Sequence, residues 1–153
     1  MPDLTDIDRI VGGIRYLVLA TADADGTPWA TPVFFAPLGR DGVCWVSSAD
    51  ARHSRNIAKR TSVAITVFDS TVAIGHAEAA YFEADAAALP AGETGQALEA
   101  LNARLPEPKR MTADDLLPVG PLTVYRATLR RRYLLVRGGN QEFRNVLDMT
   151  VEV

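Results

Sequence analysis

Two short reversals near the start of the chain limit its folding options most. Asp23-Ala24-Asp25-Gly26 and Leu38-Gly39-Arg40-Asp41-Gly42 each separate runs rich in β-branched and aromatic residues: Tyr16 to Ala22, Trp29 to Ala36, and Val43 to Ser47. Aspartate and glycine at such positions supply the local hydrogen bonds and positive φ that tight turns need, so each reversal predicts antiparallel neighbours rather than a helical crossover. The three runs predict a meander of consecutive strands.

The rest of the chain keeps to that scheme. Thr5 to Ile14 places Ile7, Ile10, Val11 and Ile14 on one helix face, with Thr5 as the expected N-cap and Asp6 and Asp8 in the first turn. Ala51 to Arg60 predicts a short basic helix behind Ser48 or Asp50 as cap. Val63 to Phe68 and Thr71 to Phe82 predict a fourth and a fifth strand, with Gly75 as a bulge or close-approach point. Ala84 to Pro118, broken by Pro90, Pro106, Pro108 and Pro118, reads as an excursion of short helices. Leu122 to Val136 returns to a β pattern, and Glu142 to Met149 is a candidate helical turn. Helices gathered into one insertion argue for an antiparallel barrel over a doubly wound parallel sheet. Its free edges would be covered by closure or by a second copy, and a homodimer is the simpler solution.

At 153 residues the expectation is one domain spanning 1–153. Nineteen Asp and Glu against 16 Lys and Arg leave a net charge of −3, which argues against broad nucleic-acid binding. With Cys44 the sole cysteine, neither an intramolecular disulfide nor a cysteine-based zinc site can form. The acidic N-terminus lacks the basic start and apolar run of a signal peptide, and no apolar stretch is long enough to span a membrane. The expectation is a cytoplasmic protein without a membrane partner.

The densest chemistry lies in Ser47-Ser48-Ala49-Asp50-Ala51-Arg52-His53-Ser54-Arg55-Asn56-Ile57. Two hydroxyls end a strand and two arginines open the helix behind it, a combination that suits an anion: amides at a helix start donate to phosphate oxygens, and arginine grips them while staying charged. Composition alone favours reading Arg52, Arg55, Lys59 and Arg60 as one solvated face of a surface helix.

The ordered set Tyr16 to Pro28, Thr31 to Phe35, Asp41 to Ser47 and Arg52 to Ile57 resembles the pyridoxamine 5′-phosphate oxidase-like split-barrel family. The resemblance runs in register to Ile74-Gly75-His76-Ala77-Glu78, which is similar to that family's next strand. It implies a mainly β, antiparallel, Greek-key split barrel with short helices, a homodimer holding flavin mononucleotide (FMN) in each of two interface clefts, and flavin-dependent oxidoreduction of a small molecule. Relatives that use the deazaflavin coenzyme are the alternative. Carried onto this chain, Thr31, Pro32, Val33 and Phe34 would run beside the isoalloxazine and offer backbone groups, and Val46 and Ser47 would lie near the ribityl chain and phosphate. Arg52 and His53 match the Arg-Lys pair that holds the phosphate, and Ser70 falls near its polar contact from the other side.

Three departures shape that expectation. His53 stands where the family has lysine and is largely neutral near pH 7, so the phosphate would lean on Arg52 with Arg55 or Lys59 as helpers. Thr31 stands where many members carry arginine. Arg144 is too isolated to replace the family's terminal substrate clamp, so pyridoxamine phosphate is not the expected substrate. With those charges missing, a non-catalytic barrel that binds or senses flavin, deazaflavin or haem is the second reading. His76 and His53 form no spaced metal motif, and Cys44 beside Trp45 reads as a buried inert thiol. Trp29 and Trp45 read as core or interface aromatics, Trp29 flanking the flavin strand. Arg130-Arg131-Arg132 reads as a solvated or dimer-facing run, Gly138-Gly139 as a turn and Asp114-Asp115 as a helix-start pair.

Overall fold

The computed structural model describes residues 1–153. Helix α1 (Leu4–Gly13) leads into strands β1 (Tyr16–Ala22), β2 (Pro28–Phe34), β3 (Ala36–Pro37) and β4 (Gly42–Ser48). Helix α2 (Arg52–Lys59) precedes β5 (Ser62–Phe68) and β6 (Ala79–Ala88); α3 (Gly95–Asn102) precedes β7 (Leu122–Val136) and β8 (Met149–Glu152).

The two reversals do form turns. Asp23 Oδ1 accepts from the Asp25 and Thr27 amides while Gly26 takes φ +86°, and β1 then pairs with β2 from Ala22↔Pro28 to Tyr16↔Phe34. At Gly42 a β-carbon would sit 2.7 Å from the Leu38 carbonyl, so only glycine closes the second turn without displacing the backbone.

The meander does not form. Strand order is β2-β1-β5-β6-β7-β4-β3, so β4 pairs with β3 and β7, at the far end of the path from β2. The cause is Phe35, wholly buried between β2 and β3, where the chain turns a corner and leaves the hairpin. The two ends of a seven-strand path are thus one residue apart in sequence. An antiparallel sheet can satisfy that only by curling until its edges meet at this corner, which is a split barrel. The outer edge of β2 has no strand partner, and Pro28 and Pro32 suit such an edge.

Other boundaries differ from expectation as well, and β6 runs on to Ala88, into the stretch from Ala84 that was expected to be helical, because Ala84 to Ala88 pair with β7. Asp3, not Thr5, caps α1, accepting from the Thr5 amide while the Asp6 carboxylate accepts from the Asp3 amide. Residues 71–78 are a loop instead of strand, because Asp69 Oδ1 turns the chain through the Thr71 amide and hydroxyl and Gly75 takes φ +91°. Val72 and Ile74, which made the segment read as β, stand exposed. The tail beyond Glu142 forms turns and then β8, which extends the edge of β7 beyond β4.

Inward residues Leu17, Leu19, Val33, Val43, Trp45, Ile65 and Phe82 fill the barrel with Ile7, Ile10 and Val11 of α1. Trp45 stacks on Tyr125 at 5.9 Å. A second cluster packs α3 against the outer face of β3, β4 and β7 through Ala36, Cys44, Ala97, Leu98, Leu101 and Val124. Half-buried Arg104 donates to the carbonyls of Val11, Ile14 and Phe35, tying the end of α1 to the corner. No helix is long and apolar enough to cross a membrane.

Candidate functional site

Apart from aromatics, the buried polar residues of the chain are Thr21, His53, Ser54 and Asn56. Three lie on α2 and the fourth on the end of β1 that α2 covers. Burying polar side chains costs unless they are hydrogen-bonded, so their concentration marks a built polar locus.

Helix α2 reaches three strands through three side chains. Asn56 Nδ2 donates to Thr21 Oγ1 on β1 at 3.0 Å. The Arg52 guanidinium lies 4.3 Å above the Trp29 ring on β2. The His53 ring, 8% exposed, places Nε2 2.8 Å from Ser47 Oγ on β4. Alternation puts Ser47 on the same inward face as Val43 and Trp45, one step nearer the mouth. Burial lowers the His53 pKa below its ordinary 6.5, favouring the neutral ring.

The start of α2 is electrostatically open. Ala51 occupies the N-cap without a side-chain hydrogen bond, and the first turn holds no acidic residue. The amides of Arg52, His53 and Ser54, at the first three helical positions, therefore lack intrahelical acceptors. None of Arg52, Arg55 and Lys59 has a carboxylate partner; Arg55 donates instead to the Asp50 carbonyl. All three line an open groove of about 450 Å³ between α2 and the β1–β2 turn, with Asp23 and Asp25 across it. Ser47 does not line the groove and adjoins the helix start through His53; the uncapped amides, the cations and this hydroxyl are together the donors a phosphate monoester needs, so the residues present fit that group.

The other expected residues divide by face. Thr31, half-buried, shares the inward face with Trp29 and with Val33, which belongs to the core. Pro32 and Phe34 point outward, Phe34 packing edge-on to Tyr16 at 6.2 Å. Val46 also faces away from Ser47, against the α3 cluster. Ser70 is exposed beyond the end of β5, roughly 20 Å along the strand from the α2 end. One chain therefore brings Ser47, Arg52 and His53 together and leaves Ser70 apart. Thr21 joins the locus without having been expected there, and Trp29 and Asn56, expected only as a neighbour of the flavin strand and as part of the Ser47 to Ile57 stretch, gain specific contacts. The available signal was polar His53 and Asn56 at i and i+3 in the stripe that ends with Ile57, positions that a purely structural helix fills with aliphatics.

The remaining candidates are absorbed by the fold. Arg130 pairs with Asp85, Arg131 with Glu152, and Arg132 with Asp41. Burial pushes the Cys44 thiol up to about 11, an inert state. His76 lies in the exposed loop, Gly139 takes φ +84° in a turn, and Asp115 caps back onto the Thr112 amide. No group of three or more His, Cys, Asp or Glu side chains is placed to hold a metal ion.

Comparison with known proteins places this geometry in context. The chain superposes on the haem storage protein HutZ of Vibrio cholerae with a TM-score of 0.67 and 23% identity, over 82% of this chain and 89% of that one. A candidate 5-nitroimidazole antibiotic resistance protein of Bacteroides thetaiotaomicron gives a TM-score of 0.71 at 16% identity, covering 86% and 82%. A haem-binding protein of Mycobacterium smegmatis gives 0.70 at 17%, covering 99% of this chain and 59% of the other. At these identities the likeness establishes the shared fold. No curated protein matches significantly in sequence. The sequence profile described as pyridoxamine 5′-phosphate oxidase matches residues 5–128, which extends the resemblance past Glu78 and into β7. With the profile covering α1 through the first half of β7 and the split barrel in place, the chain belongs to the pyridoxamine 5′-phosphate oxidase family.

Proposed function

We propose that the protein is an FMN-dependent oxidoreductase that acts as a homodimer on a small organic substrate, with the flavin phosphate at the start of α2. The observation that carries this reading is the polar end of the barrel: an uncapped, cationic helix start beside Ser47, with His53, Ser54 and Asn56 buried behind it. Arg52, the Ser47 hydroxyl and the first α2 amides would hold the phosphate, with Arg55 and Lys59 as nearby charge. The unpaired edge of β2 through Thr31, Pro32, Val33 and Phe34 would offer backbone groups to the ring, and Val46 would pack near the ribityl chain. Bound there, the flavin supplies hydride or electron transfer, and the protein contributes binding, orientation and exclusion of water. A deazaflavin coenzyme also carries an anionic phosphate beyond its ribityl chain, which the same donors would take.

Two features support the dimer. The outer face of β2, β1 and β5 carries the rows Ala30–Ala20–Ala64 and Pro32–Val18–Thr66, bordered by Tyr16 and Phe68, without a charged side chain. Uncharged faces of small residues let a second sheet approach closely. Ser70, out of reach of Ser47 within one chain, would complete the cleft of a partner copy.

Haem storage without turnover is the second reading, favoured by the names of the V. cholerae and M. smegmatis neighbours. Absorption spectra of purified protein and a fluorescence titration with FMN and deazaflavin separate the two. A flavin or deazaflavin spectrum and nicotinamide-driven turnover are expected; a Soret band with no flavin affinity would establish the haem reading instead.

A further inference from the structure

By the family resemblance His53 stands where relatives carry lysine; its ring is buried and its one hydrogen-bond partner is Ser47. A hydroxyl has a single proton, so the direction of this 2.8 Å contact decides what Ser47 presents to the cleft. If Ser47 donated to the ring, it would face an anion with lone pairs alone. If His53 donates from Nε2–H, the Ser47 proton is free to point outward, and an anion at the mouth favours that arrangement.

We infer that His53 is a positioning residue: its Nε2–H donates to Ser47 Oγ and turns the Ser47 hydroxyl into a fixed donor toward an anionic oxygen at the start of α2. This rests on the assignment of the phosphate to that end of the barrel. The site then uses a neutral two-step donor chain, His53 to Ser47 to ligand, at the position where the resemblance implies a lysine. Burial, which holds the ring neutral, fits a donor that acts through hydrogen bonding instead of charge. The remaining positive charge at the mouth comes from α2: Arg52, seated on Trp29, with Arg55 and Lys59 beside it.

The test combines binding with a tautomer measurement on the full chain. FMN and riboflavin, which lacks the phosphate, are titrated against the wild type, Ser47→Ala, His53→Phe, His53→Gln and the double variant S47A/H53F, with thermal melts verifying folding. Nitrogen-15 spectra of the imidazole at pH 8 report which ring nitrogen carries hydrogen. Expected are an Nε2–H ring, about tenfold weaker FMN binding for Ser47→Ala and for His53→Phe, and partial recovery with His53→Gln, whose amide can donate. The double variant should bind FMN no worse than Ser47→Ala, and riboflavin affinity should not change across the series. A full additional loss from His53→Phe in the Ser47→Ala background, or an Nδ1–H ring, overturns the donor chain while leaving the flavin reading standing. A wild type that binds neither FMN nor riboflavin overturns both.

Discussion

Helices α1 and α2 pack at opposite ends of one barrel with opposite chemistry. Helix α1 has an aspartate cap, an acidic first turn and a buried stripe of Ile7, Ile10 and Val11. Each of those aliphatics contributes roughly 2 kcal/mol by leaving water. Helix α2 starts uncapped, carries cations and buries His53, Ser54 and Asn56, with Ile57 as its single aliphatic anchor in the barrel core. Helix α3, also without a side-chain cap, buries only Ala97, Leu98 and Leu101, so the cations and the buried polar residues set α2 apart more than its missing cap does. The difference teaches where the molecule forgoes local stability to keep amides, cations and hydroxyls available, a pattern that belongs to sites more than to scaffolds.

The largest expected break in the comparison is Ile10→Ala, which should destabilise the fold by about 3 kcal/mol in urea unfolding while leaving FMN affinity of the folded protein unchanged. Arg52→Ala should do the reverse, weakening FMN binding by about 1.5–3 kcal/mol with a denaturation midpoint close to wild type. Exchanging the caps sharpens the contrast further. Asp3→Ala should cost about 1 kcal/mol of stability, whereas Ala51→Asp should raise stability by up to about 1 kcal/mol and weaken FMN binding, because the new carboxylate takes the α2 amides and repels the phosphate. Calorimetric melts paired with titrations read both signs.

The smallest effect is in pH. The unfolded chain protonates His53 as pH falls through its ordinary 6.5, while the folded chain, with its lowered value, resists the proton. His53 therefore contributes stability above pH 6.5 that is lost progressively as pH falls from there through the folded-state value. A Tm series from pH 8 to 5 should show this slope, and His53→Gln should flatten it.

Local alternation made the bounds of β1 and β7 readable: Tyr16 to Ala22 and Leu122 to Val136 are the strands as they stand. It could not reveal that β4 pairs with β7, because a partner some 80 residues away leaves no local mark. The Phe35 corner was hidden for a related reason, since a buried phenylalanine continues a β pattern as readily as it ends one. At the site, Ser47 and Arg52 were legible from hydroxyls and charge near a helix start. The contacts of Thr21, Trp29 and Asn56 were not, because they arise only when α2 is laid across three strands. His53 was legible as a departure from lysine, but its contact with Ser47 depended on which way the helix faces.

The central claim is that the α2 end of the barrel recognises a flavin through its phosphate. Isothermal titration of the wild-type protein with FMN and with riboflavin tests it most directly. FMN should bind at least about tenfold more tightly than riboflavin, the scale of one charge-assisted contact, and Arg52→Ala should erase most of that preference. Equal affinity for the two, or a preference for FMN that survives Arg52→Ala intact, would contradict it.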